Sequence, residues 1–420
     1  MNILSVVIPA LNEENGIADI VERVLSVKPD LQKVGVADLE LIVVDDGSRD
    51  RTPEIVAGYP DVVLVKHPVN RGYGAAIKTG FRHAKGNLLA FLDADGTYPP
   101  EFFPQLCHPI LQNGADLVIG SRMAGSDSEM PLVRRIGNTI FATLVSIISN
   151  HRVTDSASGQ RVFRNDVLPT LYPLPDGLNF TPVMSTRAMH EDIRVIEVPI
   201  TYSERVGRSK LSVVRDGYRF LHSILMTALT YNPVRIFGMA GLGLVLFGLL
   251  IGLTSLVAPQ VSSRPDAFFA ALFAGLVLVA AGVNVFAIGA SFNYLVSLFH
   301  KRQIRQGLLG RPIFQTPLET RFGWLGAATM VAGGLMYGLA VLFQWTATGT
   351  VAPWFVPAVS TILVLSGLHL FTSWLLIVLL SELSRREIQT DEDMGAVVAA
   401  VEPVAAEQTA PAAPTVAVAN

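Results

Sequence analysis

Short apolar runs and helix-spaced segments alternate over the first half of the chain, and the second half is apolar almost without interruption. Ile3–Pro9 is an apolar run closed by proline, and Asn12–Val27 has helical spacing with acidic residues in its first turn. Leu39–Val44 is a strand of the fully buried kind and Val62–Lys66 a shorter one. Gly74–Lys85 reads as a helix, Asn87–Leu92 as a strand, Glu101–Gln112 as a helix and Asp116–Ile119 as a further strand. Strands that are apolar throughout, with helices between them, predict an α/β domain whose largely parallel sheet is covered on both faces. Ligands of such sheets lie beyond the carboxyl ends of the strands. The polar clusters fall there: Asn12-Glu13-Glu14, Asp45-Asp46-Gly47-Ser48 and Asp93-Ala94-Asp95.

Charge then disappears. No Asp, Glu, Lys or Arg occurs from Ile236 to Ser263, from Ala267 to Phe299, or from Phe322 to Ser381. About 20 apolar residues span a bilayer, so these runs predict four transmembrane helices, near 236–257, 268–292, 323–344 and 355–380. Between the second and third spans stand Lys301, Arg302, Arg305, Arg311 and Arg321, whereas the first loop offers only Arg264 and the last none. Lys and Arg stay on the cytoplasmic side. The N-terminal domain and the C-terminus are therefore expected in the cytoplasm. Leu211, Val214, Tyr218, Leu221 and Leu225 recur at steps of three and four ahead of the first span, as in a helix that lies in the membrane interface or packs on the domain. The expected division is a catalytic domain over 1–210, an amphipathic helix over 211–232, a membrane region over 233–382 and a disordered tail over 390–420.

Composition narrows the chemistry. A net charge of −3 with no broad basic face argues against nucleic acid, and the single Cys107 excludes a disulfide framework or a zinc–cysteine cluster. The start lacks the basic and long apolar stretches of a secretory signal, so none is expected. Asp93 and Asp95 follow an apolar strand, and residues i and i+2 of an extended chain point the same way. Two like charges held together are costly unless a cation lies between them. One or two carboxylates completed by substrate phosphates is the usual setting for magnesium; the plain alternative is a turn built on Asp-Gly and Pro-Pro. Asp45-Asp46-Gly47-Ser48 suits either a base or ribose contact or an Asx turn. Arg134 suits a phosphate or a solvated helix face, and Arg135 the latter. Asn70-Arg71-Gly72-Tyr73-Gly74 reads as a loop leading into a helix, and His369 as a packed neutral histidine.

Taken together, Ser5–Glu13, Val43–Ser48, Leu92–Glu101 and Ile119–Arg122 occur in the order and spacing of family-two glycosyltransferases of the GT-A fold. The chain resembles most the branch that makes dolichyl-phosphate mannose and glucose, with support from Asp155-Ser156-Ala157-Ser158-Gly159 and Gly207-Arg208-Ser209-Lys210-Leu211. The resemblance covers residues 3–211. It implies transfer of a hexose from a nucleotide sugar to a polyprenyl phosphate with inversion, and it implies Mg2+ or Mn2+ as cofactor. It also implies roles: Pro9, Leu11 and Glu13 flank the nucleotide base, with Val44 and Asp46 close by. Asp93 and Asp95 hold the metal, with the Ala94 backbone near the diphosphate. Arg122 and Arg134 lie at the reaction centre, Asp155 on the acceptor side and Lys210 near phosphate. Asp95, Arg122, Arg134 and Asp155 form the catalytic set, and Arg205 is matched with a shifted spacing. The branch often has an aromatic residue at Leu11, Gln at Thr97 and Glu at Arg208.

A phosphate acceptor needs no base to take its proton, so Asp155 is expected to orient a neighbour, Arg161 or Arg134, or else to cap a turn. Two other readings compete. A processive polysaccharide synthase would carry Gln-x-x-Arg-Trp, which is absent. A nucleotide-sensing scaffold or transporter would need a polar path that the uncharged spans do not offer. A homo-oligomer is left open.

Overall fold

The computed structural model describes residues 1–123, 130–149, 151–191, 193–203, 213–257, 265–300, 321–343 and 353–393. Seven strands form one sheet: β1 (Asn2–Ala10), β2 (Val36–Asp45), β3 (Val62–Lys66), β4 (Leu88–Phe91), β5 (Leu117–Ser121), β6 (Arg161–Arg164) and β7 (Val195–Pro199). Their order is β3-β2-β1-β4-β6-β5-β7. All pairings are parallel except those of β6, which runs antiparallel to both β4 and β5. The carboxyl ends of six strands therefore share one edge with the amino end of β6. Each expected strand is present, and β2 is longer than its apolar stretch because Asn2 to Ala10 pair with Val36 to Asp45 along its length.

Alternation explains the layers. Leu4, Val6 and Ile8 point to one face, where they meet Ile17, Ile20, Val21 and Val24 of α1 (Ile17–Ser26) and, beyond α2 (Lys28–Lys33), α3 (Thr52–Ala57) and α4 (Tyr73–His83), also Phe103 and Leu106 of α5 (Phe103–Asn113). Val7, Ile42, Val44 and Phe91 point to the other, where they meet Ile77 and Phe81 of α4. After α6 (Leu132–Ser149) and α7 (Leu168–Leu171), α8 (Phe180–Ala188) adds Phe180, Val183 and Met184 to that second face. Helix α1 starts at Ile17 and not at Asn12. Asn12 has a left-handed backbone with φ of +51°, and the N–H groups of Asn12, Glu13 and Glu14 are taken by Ser48, Thr52 and Asp50.

Beyond the sheet, α6 and α9 (Val213–Leu229) share a small core of Ala142, Val145, Ile148, Ile224 and Ala228, with Phe141 edge-on to Phe220. Each leaves a second apolar face outward: Leu132, Ile136, Ile140 and Ile147 on α6, and Val214, Tyr218 and Leu221 on α9. The expected amphipathic helix thus packs on the domain and exposes an apolar stripe at once, and α6 is a second such helix that the sequence reading passed over.

Among the described residues, five helices are long and apolar enough to cross a membrane. One is α6, which is tied to the catalytic domain by its small core. The others are α10 (Pro233–Val257), α11 (Pro265–His300), α12 (Phe322–Leu342) and α13 (Phe355–Asp393), matching the four expected spans with α11 and α13 running on past them. The chain divides into two compact units, Met1–Pro317 and Leu318–Asn420. Within the first, α10 and α11 meet glycine to glycine at Gly241 and Gly282 and at Gly248 and Gly275; within the second, α12 and α13 do so at Gly326 and Gly367. Small residues let apolar helices approach closely where no hydrophobic effect drives them together. The basic segment 301–320 and the tail beyond 393 lie outside the described residues.

A methyl group at Gly80 of α4 would collide with the Val7 side chain of β1, whereas one at Gly137 of α6 would meet nothing within 4 Å. Gly80→Ala should lower stability by about 1–3 kcal/mol through overpacking. Gly137→Ala should be neutral or stabilising by up to about 1 kcal/mol. Unfolding of the detergent-solubilised protein in urea checks both.

Candidate active site

The loops at the shared edge are stitched in pairs. The Asn12 side chain accepts from Arg49 N–H at 2.8 Å while its own N–H donates to Ser48. This fixes the ends of β1 and β2 side by side, with Pro9 paired to Val44. Leu11 and Glu13 stand half-buried beside them. Asp45 Oδ1 accepts from the Ser48 N–H three residues on. Asp46 is buried, and its carboxylate accepts the backbone N–H groups of Arg71 and Gly72 and contacts His67. The structure thus directs Asp46 at the neighbouring loop, where the resemblance places it beside a base.

Asp93 and Asp95 follow β4, half-buried on either side of the buried Ala94. Asp95 Oδ1 accepts from both the Thr97 N–H and hydroxyl, at 3.1 and 2.6 Å. Thr97, where the branch often has Gln, therefore braces Asp95. Asp93 Oδ1 accepts from the Tyr73 hydroxyl at 2.7 Å. Among the described residues no three His, Cys, Asp or Glu converge as a metal cage. Two hard carboxylates that need outside oxygens to complete a shell fit Mg2+ or Mn2+ shared with a diphosphate.

Arg122 follows β5 and Asp155 precedes β6. Arg122 grips Asp155 in a fork, Nε to Oδ2 at 2.7 Å and Nη2 to Oδ1 at 2.8 Å, and its backbone N–H adds a third bond at 3.1 Å. Asp155 is fully buried. Burial alone would raise its pKa, but the Arg122 guanidinium outweighs burial and the net shift is downward. The guanidinium lies 5.4 Å from the centre of the Tyr98 ring and 5.8 Å from that of Tyr202, a cation held by two ring faces. Burial drives the Tyr98 phenol pKa up, so it stays protonated, and it accepts the Gly159 N–H at 2.7 Å. Glu197 of β7 takes the Thr154 and Asp155 N–H groups at 2.9 Å. The residue that Asp155 orients is thus Arg122. Arg134, in the first turn of α6, reaches the Tyr202 hydroxyl at 3.2 Å. Arg161 is fully buried and donates to the carbonyls of Ser156, Ser158 and Thr181; burial lowers its pKa to about 10. Asp155 also accepts from Ala157 N–H at 3.3 Å, so the turn-capping role is present as well.

The sequence reading missed Tyr73, Tyr98, Tyr202 and Glu197. Tyr73 opens α4, Tyr98 and Tyr202 follow β4 and β7, and Glu197 lies in β7; Tyr73 and Tyr98 fall inside segments named above, but no spacing along the chain marks a role for any of the four. Arg205 and Lys210 lie outside the described residues.

Residues 5–171 match Glycosyl transferase family 2, and residues 233–391 match a domain of unknown function (DUF8752). The low-salt glycan biosynthesis hexosyltransferase Agl6 of Haloferax volcanii is 32% identical over 379 residues, covering 89% of this chain and 88% of that protein. The chain belongs to glycosyl transferase family 2. As a member it is a glycosyltransferase with a GT-A catalytic domain, followed by apolar helices that make it an integral membrane protein. The dolichyl-phosphate hexose transferase of H. volcanii is 30% identical, over 54% of this chain and 94% of its own length. An undecaprenyl-phosphate 4-deoxy-4-formamido-L-arabinose transferase of Edwardsiella ictaluri is 32% identical, over 69% and 90%. Among solved structures, glucosyl-3-phosphoglycerate synthase of Mycobacterium tuberculosis is similar at 21% identity with a TM-score of 0.46, over 54% of this chain and 78% of that one.

Asp155→Asn leaves a buried guanidinium without its counter-charge, and breaking such a pair costs about 3–5 kcal/mol. Because the folded pKa of Asp155 is depressed, this stabilisation is present above the unfolded carboxylate pKa of about 3.9 and is lost as pH falls through the folded value. Melting curves should show a native–mutant gap that is constant from pH 5 to 8 and closes only in stronger acid.

Proposed function

We propose that this transferase moves a hexose from a nucleotide sugar to a polyprenyl phosphate at the membrane surface, inverting the anomeric centre. One observation carries the reading: α6 brings Arg134 to the edge of the Arg122 site and, on the same helix, exposes the apolar stripe of Leu132, Ile136 and Ile140. An anion-binding group and a membrane-facing surface on one rigid element suit an acceptor whose phosphate must be presented from a bilayer. The names of the relatives, with dolichyl and undecaprenyl phosphate in them, support the same acceptor class. A cavity of about 590 Å³ lies alongside, walled by Met123, Thr143, Thr154, Arg152 and Arg235. Its mixed basic and apolar lining suits a lipid phosphate on its way to the site.

In this reading Pro9, Leu11, Glu13 and Val44 line the base pocket at the ends of β1 and β2, and Asp46 shapes it through the loop that it holds. Asp93 and Asp95, with the Ala94 backbone, face the diphosphate. Mg2+ or Mn2+ bound there would neutralise the diphosphate as it departs. The acceptor oxygen attacks the anomeric carbon opposite the diphosphate, and the new C–O bond forms as the bond to the diphosphate oxygen breaks. A phosphate monoester has a second pKa of about 6 and arrives nearly doubly charged, so no residue need remove a proton. Arg122 and Arg134 offset the meeting of two anions, each able to grip phosphate oxygens. Asp155 stays ionised and holds Arg122. Arg205 and Lys210 are carried as phosphate ligands by sequence alone. The basic residues of segment 301–321 support a cytoplasmic catalytic domain and C-terminus.

The deciding experiment incubates purified protein with UDP-glucose, GDP-mannose or other nucleotide sugars and a short polyprenyl phosphate. UDP-glucose is the first donor to try. A lipid-linked hexose phosphate with inverted linkage is the expected product; free polysaccharide, or nucleotide binding without turnover, would sink the reading. Asp93→Asn and Asp95→Asn should each lower turnover at least about 100-fold, and chelation should silence the native enzyme. Ile136→Glu with Ile140→Glu should raise the apparent KM for a long-chain acceptor in vesicles and leave nucleotide affinity unchanged. An unaltered acceptor KM would remove α6 from the reading.

A further inference from the structure

The stretch Asn70 to Gly74 has only helix-start character in the sequence, and Asp46 stands far from it along the chain. In the folded protein they form one device. Asp46 Oδ1 accepts the Arg71 N–H and Oδ2 the Gly72 N–H, both at 2.9 Å. His67 Nδ1 lies 2.6 Å from Asp46 Oδ1, and its Nε2 lies 3.0 Å from Thr79 Oγ1 on α4. The carboxylate thus clamps the backbone of the loop, and the imidazole ties the clamp to the helix that follows. Gly72 has φ of +106°, a conformation that side chains disfavour. Gly74 packs so closely on the Pro175 and Asp176 backbone that a methyl group would collide.

Between those two glycines stands Tyr73, the first residue of α4. Its ring is edge-on to Phe180 with centroids 6.4 Å apart, and its hydroxyl donates to Asp93 Oδ1 at 2.7 Å. Asp93 also lies against Gly159. A Cβ there would collide with Asp93 Oδ2 and sit 2.8 Å from Oδ1. The carboxylate is therefore held between a hydroxyl donor and bare backbone.

We propose that Tyr73 is a positioning residue for Asp93: its O–H fixes one carboxylate oxygen so that the group meets a divalent cation in a single orientation, and Asp46 acts at a distance by setting where Tyr73 stands. This rests on the reading of Asp93 and Asp95 as metal carboxylates. Partners behind a metal ligand fix its orientation, and their loss costs about 10–100-fold in metal affinity.

The test reads Mn2+ binding to the full-length protein in detergent by the paramagnetic resonance signal of free Mn2+, with UDP and, in parallel, GDP present. Tyr73→Phe keeps the ring against Phe180 and removes only the donor. It should raise the Mn2+ Kd about 10-fold or more, with the melting temperature held and turnover largely restored at saturating Mn2+. Gly159→Ala presses on the same carboxylate from the Gly159 backbone and should weaken Mn2+ in the same way while leaving Tyr73 in place. It keeps the test decisive if the tyrosine variant melts early. Native-like Mn2+ affinity in both variants overturns the inference alone, provided that Asp93→Asn abolishes binding. Absence of Mn2+ binding by the native protein with either nucleotide overturns the metal reading itself, and this inference with it.

Discussion

Arg122 and Asp155 face one another away from water, and the three strand ends around them are arranged to make that tolerable. An ion pair removed from solvent repays its desolvation only when the geometry is good and the remaining lone pairs and protons are satisfied. Here the fork is supplemented by the Arg122 N–H, and the ring faces of Tyr98 and Tyr202 cover the cation. Glu197 holds the Thr154 and Asp155 backbone from β7. The loop from Asp155 to Arg161 is fastened in turn. Ser158 donates to the Gly120 carbonyl near the end of β5, Gln160 to the Pro99 carbonyl after β4, and Arg161 to the loop's own carbonyls and to the Thr181 carbonyl at the start of α8. With those bonds in place Gly159 lies against Asp93, and Arg122 and Asp93 are set by the same loop.

This arrangement depends on one reversed strand. In an all-parallel sheet, the segment before a strand starts at the edge opposite the site. Because β6 runs antiparallel, Phe91 and Ile119 both pair with Arg161, the first residue of β6. The residues that precede it are thereby delivered to the carboxyl ends of β4 and β5. Asp155 reaches Arg122 for that reason.

The second joint of the molecule is between chemistry and membrane. Helix α6 carries Arg134 in its first turn, packs Ala142, Val145 and Ile148 against α9, and turns a different apolar stripe outward. Helix α9 does the same and leads within a few residues to α10. A lipid acceptor holds its phosphate at a nearly fixed height, so a site that serves it must be held at that height too. Two helices with one face on the catalytic core and one apolar face outward meet that demand.

The sequence by itself determined the alternation of buried strands and helices, the four long uncharged spans, the family motifs and the candidate carboxylates Asp93 and Asp95. Apolar periodicity and a pair of acids two residues apart are local properties of a chain, legible wherever the fold puts them. What it left open were partners. Asp155 was equally able to orient Arg134 or Arg161, and only the antiparallel β6 decided for Arg122. Asp46 was read toward a nucleotide and proved to hold the loop at 71–72, because its neighbour across the sheet edge is 25 residues away. Tyr73 and Tyr98 stood inside segments that the sequence marks, but with no role attached, and Tyr202 and Glu197 carried no signal. A hydroxyl or carboxylate acquires its role when a distant backbone or charge is brought within hydrogen-bonding reach, and that proximity belongs to the tertiary structure.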